Sequence, residues 1–126
     1  MLRLTERMLA TMAFDQVELD SVEIILVQHL LSDTEEFIRL IRGFGFEVRR
    51  VIGIEYSSRQ DVVERLRSSG LDVVVPKVAE TEDTLRQVLH DEFSRSQSKR
   101  IILQEVGGYC ASILNAVIEP SLQNRF

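Results

Sequence analysis

Four short apolar runs punctuate the chain: Val22–Val27, Val48–Ile54, Leu71–Val75 and Ile101–Leu103. Each gives way to a polar cluster and then to a segment patterned as a helix. Strand-sized runs alternating with helical segments predict a parallel sheet, because a crossover helix is the short route between parallel strands. The expected architecture is a three-layer, Rossmann-like α/β domain whose four-stranded parallel sheet is flanked by helices. Small ligands bind such open sheets outside the carboxyl ends of the strands. The polar clusters are therefore expected along one rim.

The periodicity places the elements. Leu4, Met8, Leu9 and Met12 recur at helical spacing, so a leading amphipathic helix over 1–16 is expected, its Met-rich face packing on the sheet or a partner. The β–α repeats occupy 22–119. Ser32 and Glu35 have capping-box spacing, and Ser58 with Asp61 repeats the pattern before Val62, Val63 and Leu66. Gly43, Gly45 and Gly70 are placed to end helices. The helix from about Thr81 turns Leu85, Val88, Leu89 and Phe93 inward, and Ser94–Arg100 forms a polar connection. Gly107-Gly108 leads into a last helix with Cys110, Ile113, Leu114, Val117 and Ile118 inward, stopped by Pro120. Arg49 and Arg50 make the second strand look less enclosed than its neighbours. One domain over 1–126 is expected.

Composition narrows the class. The chain of 126 residues is 44% hydrophobic and 28% charged with two prolines, the profile of a globular domain. No apolar stretch approaches the roughly 20 residues that span a bilayer, so no membrane partner is expected. The first residues, Met1–Arg7, mix acid and base and do not resemble a secretory signal. With Cys110 as the single cysteine, no intrachain disulfide forms, in keeping with an expected cytoplasmic setting. A formal charge of −5 argues against a nucleic-acid partner. Arg39, Arg42, Arg49 and Arg50 are candidates for a local basic patch, or for solvated helix and strand edges.

The expected rim offers His29, Asp33, Ser57, Ser58, Gln60, Asp61, Glu80, Glu105 and Tyr109. His29, where the first strand opens into its loop, suits a general base or a ligand hydrogen bond; a backbone-bonded strand-end histidine is the simpler reading. Asp33 is stabilised by the helix dipole with or without a ligand. Ser58 and Asp61 are accounted for as capping residues. Gly107-Gly108 lacks the spacing of a dinucleotide or Walker loop, and a turn with positive φ explains it. His29, His90 and Cys110 sit on separate elements, so no metal site is expected.

In their order, these clusters resemble the amino-terminal, substrate-binding half of the S-adenosylhomocysteine hydrolase (adenosylhomocysteinase) family. That family's His-Met-Thr strand end, followed by an acid or amide, compares with His29-Leu30-Leu31-Ser32-Asp33; its Ser-Thr-Gln-Asp turn compares with Ser58-Arg59-Gln60-Asp61. Its Gly-Glu-Thr helix start compares with Ala79-Glu80-Thr81, and its Ile-Leu-Asp-Asp-Gly-Gly-Asp turn with Ile102–Tyr109, one residue longer. The resemblance covers about Val22 to Leu114. It implies an adenosine-holding domain, with His29 near the sugar, Asp33 near the adenine and Glu105 near a catalytic aspartate. Ser58, Gln60, Asp61, Glu80 and Tyr109 complete the implied ligand set. The family's NAD is held by a second domain, and the sequence stops at Phe126, before those cofactor positions. The chain alone is therefore expected to bind no cofactor.

The departures concern hydrogen-bonding positions. Leu31 replaces the threonine, Gln104-Glu105 replaces the aspartate pair, Val106 is inserted, and Tyr109 replaces the closing aspartate. Ribose oxidation needs a positioned acid–base group. The expectation is a degenerate substrate-binding domain that binds a nucleoside-like small ligand without autonomous hydrolase activity. Two alternatives stand beside it: a Rossmann-like interaction or oligomerisation module, and the substrate-side part of an NAD-dependent dehydrogenase. A homo-oligomer or a second domain is the expected macromolecular partner.

Overall fold

A computed structural model describes residues 2–12, 15–95 and 99–109. The helix expected after Gly107-Gly108, with Cys110, Ile113, Leu114, Val117 and Ile118, and the Phe93 side chain fall outside that description. The elements run α1 (Arg3–Thr11), α2 (Gln16–Asp20), β1 (Val22–Gln28), α3 (Ser32–Gly43), β2 (Glu47–Gly53), α4 (Gln60–Ser68), β3 (Val73–Val74), α5 (Thr81–Arg95) and β4 (Arg100–Glu105). A 3-10 turn, Val78–Glu80, leads into α5. The sheet is wholly parallel, in the order β3-β2-β1-β4.

Each β1 face supports its own core. Ile24 and Leu26 point toward α3 and α4, where they pack with Ile38, Ile41, Val48, Val51, Val63 and Leu66. Ile25 and Val27 point the other way and pack with Ile52, Leu85, Leu89 and Ile101 beneath α5. Strand alternation thus divides one apolar run between two layers of helix, which explains why β1 is hydrophobic throughout. The three-layer architecture is present as the patterning predicts.

Several details differ from the patterning. α1 contributes only Leu9 to the packing, while Leu4, Met8 and Met12 are exposed. The chain then makes a separate short helix, α2, capped by Asp15 through the Val17 amide. Neither expected capping box forms: α3 and α4 start after Leu31 and Arg59, and neither start carries a side-chain cap. Glu35 turns instead to Arg65 of α4, accepting a bidentate charged contact at 2.8 and 3.0 Å. α5 extends through Arg95, into the expected polar connection.

β2 is an interior strand, and its arginines leave it less enclosed than β1, as expected. A bulge opposite Ile24 and Ile25 pairs them with Val48 and Arg50, leaving Arg49 as the extra residue. Successive strand residues normally face opposite sides; a bulge relaxes that rule. Arg49 and Arg50 both reach Glu92 of α5, at 3.1 and 3.4 Å. The four-arginine patch is thereby divided, since Arg39 and Arg42 lie on α3.

Gly53 closes β2 where space is scarcest. A Cβ there would meet Leu30 Cδ1 at 2.7 Å and both Ser58 Oγ and Val75 Cγ2 at 3.0 Å. The glycine lets the loops after β1 and β2 close on each other. Among the described residues, no helix is long and apolar enough to cross a membrane.

Candidate functional site at the sheet switch point

The connections through α3 and α4 lie on one sheet face and α5 lies on the other, so chain direction reverses between β1 and β4. Loops leaving those neighbouring strands diverge and open a crevice, the usual ligand position in open α/β sheets. A cavity of about 260 Å³ lies there, lined by Leu2, Thr5, Gln28, Asp33, Thr34, Phe37 and Gln104. Gln28 ends β1, and its Nε2 donates to Gln104 Oε1 on β4 at 2.6 Å. Asp33 and Thr34 come from the first turn of α3, and Thr34 Oγ1 donates to the His29 carbonyl at 2.7 Å. Amide, hydroxyl and carboxylate groups thus face one small space beside an aromatic ring.

The other rim residues occupy different surroundings. His29 Nδ1 is hydrogen-bonded to Ser57 Oγ, and its ring meets Tyr56 edge-on with centroids 5.9 Å apart. Ser58 Oγ accepts the Leu30 amide at 3.1 Å, tying the β1 and β2 loops together where a cap was expected. Glu105 Oε2 accepts the Tyr109 amide at 3.1 Å, closing the glycine turn, while the Tyr109 ring packs toward the α5 core. Gly107 and Gly108 adopt φ of +93° and +73°, the turn geometry expected of them. Val106 donates its amide to the Val27 carbonyl at 3.0 Å, extending the contact with β1.

Gln60 and Asp61 belong to the α4 surface: Gln60 donates to Glu64 at 3.3 Å, and Asp61 pairs with Arg59 and Arg65. Desolvation opposes ionisation of Asp61, but the Arg65 hydrogen bond and the Arg59 charge hold its carboxyl below the usual range. Glu80 is exposed on the 3-10 turn. Of the eight expected ligand residues, the crevice lining includes Asp33 alone. Gln28, Thr34 and Phe37 are not among the candidates the sequence offers, and Gln104 enters there only as a departure from the resembled aspartate pair. Their common signal is the strand order, since Gln28 and Gln104 are remote in sequence and adjacent in the sheet.

Two buried carboxylates lie toward the opposite edge. Glu23 and Glu92 are both fully buried beneath α5. Arg95 Nη2 bridges them at 3.0 and 2.8 Å, alongside the two β2 arginines. Burial and the neighbouring Glu92 charge raise the Glu23 pKa. Burial also opposes ionisation of Glu92, but hydrogen bonds from Arg95, Glu23 and Arg49 hold its carboxyl low. The network fastens α5 to the bulged strand. Among the described residues, no group of His, Cys, Asp and Glu side chains is placed to hold a metal ion.

Fold and crevice define a Rossmann-like α/β domain with a polar switch-point site. No known family profile, curated protein or solved structure matches the chain.

Proposed function

We propose that this domain binds a nucleoside-like small molecule in the β1–β4 crevice and does not itself carry out hydrolase chemistry. The carrying observation is the Gln28–Gln104 pair at the topological switch point, beside Asp33 and Phe37. A volume of about 260 Å³ is just below the roughly 300–1,000 Å³ of pockets for drug-sized ligands, favouring a compact ligand. Phe37 offers a ring face to a base, while the amides and Asp33 offer partners to hydroxyl or exocyclic amino groups. The resemblance to the adenosine-holding half of adenosylhomocysteinase points to the same ligand class. Leu31, which is exposed, offers no side-chain hydrogen bond where that family has threonine. Glu105 is engaged by its own turn. Both support binding without catalysis.

Calorimetry with adenosine at millimolar concentration tests the reading. Saturable heat is expected from the wild type. Asp33→Asn should weaken binding roughly ten- to a hundredfold, the effect of losing a hydrogen bond to a charged group. No wild-type heat beyond dilution would refute it and favour the interaction-module alternative. That second reading has its own support: Leu4 and Met8, i and i+4 on α1, and Met12 just past its end are 73%, 59% and 54% exposed. Sedimentation velocity of wild type and Met8→Glu would then show whether α1 joins copies of the chain.

A further inference from the structure

A second cleft lies on the outer surface between α3 and α4 and shares no lining residue with the crevice. Its volume is about 330 Å³, with Ile38 and Leu66 among its apolar lining and Arg39, Arg42, Arg65, Glu35 and Ser69 around them. Two of these guanidinium groups are held in place. Arg65 donates bidentately to Glu35, and Arg42 reaches across to Ser69, donating to Oγ at 3.1 Å and to the carbonyl at 3.3 Å.

The charges do not cancel. Arg65 has carboxylate partners in Glu35 and Asp61. Arg42 is engaged only with a neutral serine, and Arg39 makes no ion pair or side-chain hydrogen bond among the described residues. Arg39 and Arg42 are three residues apart on α3 and therefore neighbours on its surface. With Glu35 and Asp61 both on Arg65, the three arginines leave one net positive charge over the cleft, in a chain whose formal charge is −5. Arginine forks match phosphate and carboxylate oxygens, and a held fork loses less freedom on binding.

We infer that the α3–α4 cleft is a binding site for a small organic anion, with its phosphate or carboxylate head on Arg39 and Arg42 and its apolar body on Ile38 and Leu66. Head and body contribute separately, so neither inorganic phosphate nor an uncharged alcohol binds comparably. The site is independent of the crevice and of the ligand proposed for it.

The test titrates the full chain with hexyl phosphate, hexanol and inorganic phosphate while amide shifts are followed by NMR. Hexyl phosphate is expected to saturate below about 1 mM, with the largest shifts at Arg39, Arg42 and Ser69. Hexanol and inorganic phosphate should each bind at least tenfold more weakly. Arg39→Gln and Arg42→Gln should each weaken hexyl phosphate roughly tenfold, the spectra reporting that the fold is intact. Raising the salt concentration should weaken it further. Gln104→Ala, in the other cavity, should leave this binding unchanged. Hexanol binding as tightly as hexyl phosphate, shifts centred elsewhere, or an unchanged affinity in the folded Arg39→Gln variant would each overturn the assignment.

Discussion

Truncating Glu92 and neutralising Glu23 should have opposite consequences, although the two buried carboxylates share Arg95. Glu92→Ala removes the acceptor for Arg49, Arg50 and Arg95 together. Removing one member of a buried pair commonly costs about 3–5 kcal/mol, because the remaining charge stays uncompensated. Here the arginine side chains are 33%, 23% and 42% exposed and can partly rehydrate. Arg50 also keeps Asp72, and Arg95 keeps Glu23. The expected loss is therefore smaller, about 2–3 kcal/mol at pH 7. With a urea dependence of about 1–3 kcal/mol per molar, the midpoint should fall by about 0.7–3 M.

Glu23→Gln keeps the side chain's shape and removes a charge that burial disfavours. At pH 7 it should leave stability unchanged or raise it. The pH dependence separates the two residues further. Glu23 has a raised folded pKa, so its contribution is complete below its ordinary value of 4.5 and is lost as pH rises through the raised value. Glu92 is lowered; its contribution is present above 4.5 and is lost as pH falls through the lowered value. Wild-type stability should consequently rise as pH falls from neutrality through the raised Glu23 value, then decline in stronger acid. Glu23→Gln should abolish the rise and keep the decline. Urea titrations from pH 7 to pH 3 measure both. Equal destabilisation by Glu92→Ala and Glu23→Gln at pH 7 would refute the opposite roles of the two carboxylates, and an unaffected Glu92→Ala midpoint would show that the network does not fasten α5.

Gly53→Ala should destabilise by about 1–3 kcal/mol through overpacking, since Leu30 Cδ1 would lie 2.7 Å from the new Cβ; a wild-type melting temperature would contradict that contact. Incubated with S-adenosylhomocysteine and NAD, the chain should release no homocysteine above a no-protein control. Turnover in a coupled thiol assay would mean that Leu31 and the engaged Glu105 do not disable the rim.

Local sequence was enough to identify the four strands, their parallel arrangement and the helices α3, α4 and α5 between them. β1 appears at Val22–Gln28 as its apolar run implies, and Gly107-Gly108 turns with positive φ because glycine tolerates that conformation without a steric penalty. Strand and helix periods are local properties, so a single strand of text carries them. Capping was less legible, because Glu35 had a charged partner thirty residues away whose proximity no local spacing reveals. Likewise, Glu23 within an apolar run and Arg49-Arg50 within a strand were visible anomalies, but their common partner on α5 was not. The crevice depended wholly on tertiary structure. β4 could have joined either edge of the sheet; its place beside β1 puts Gln104 against Gln28 and creates the switch point. That choice rests on burying Ile101 and Leu103 beneath the α5 layer, a long-range packing preference absent from the pattern of either strand alone.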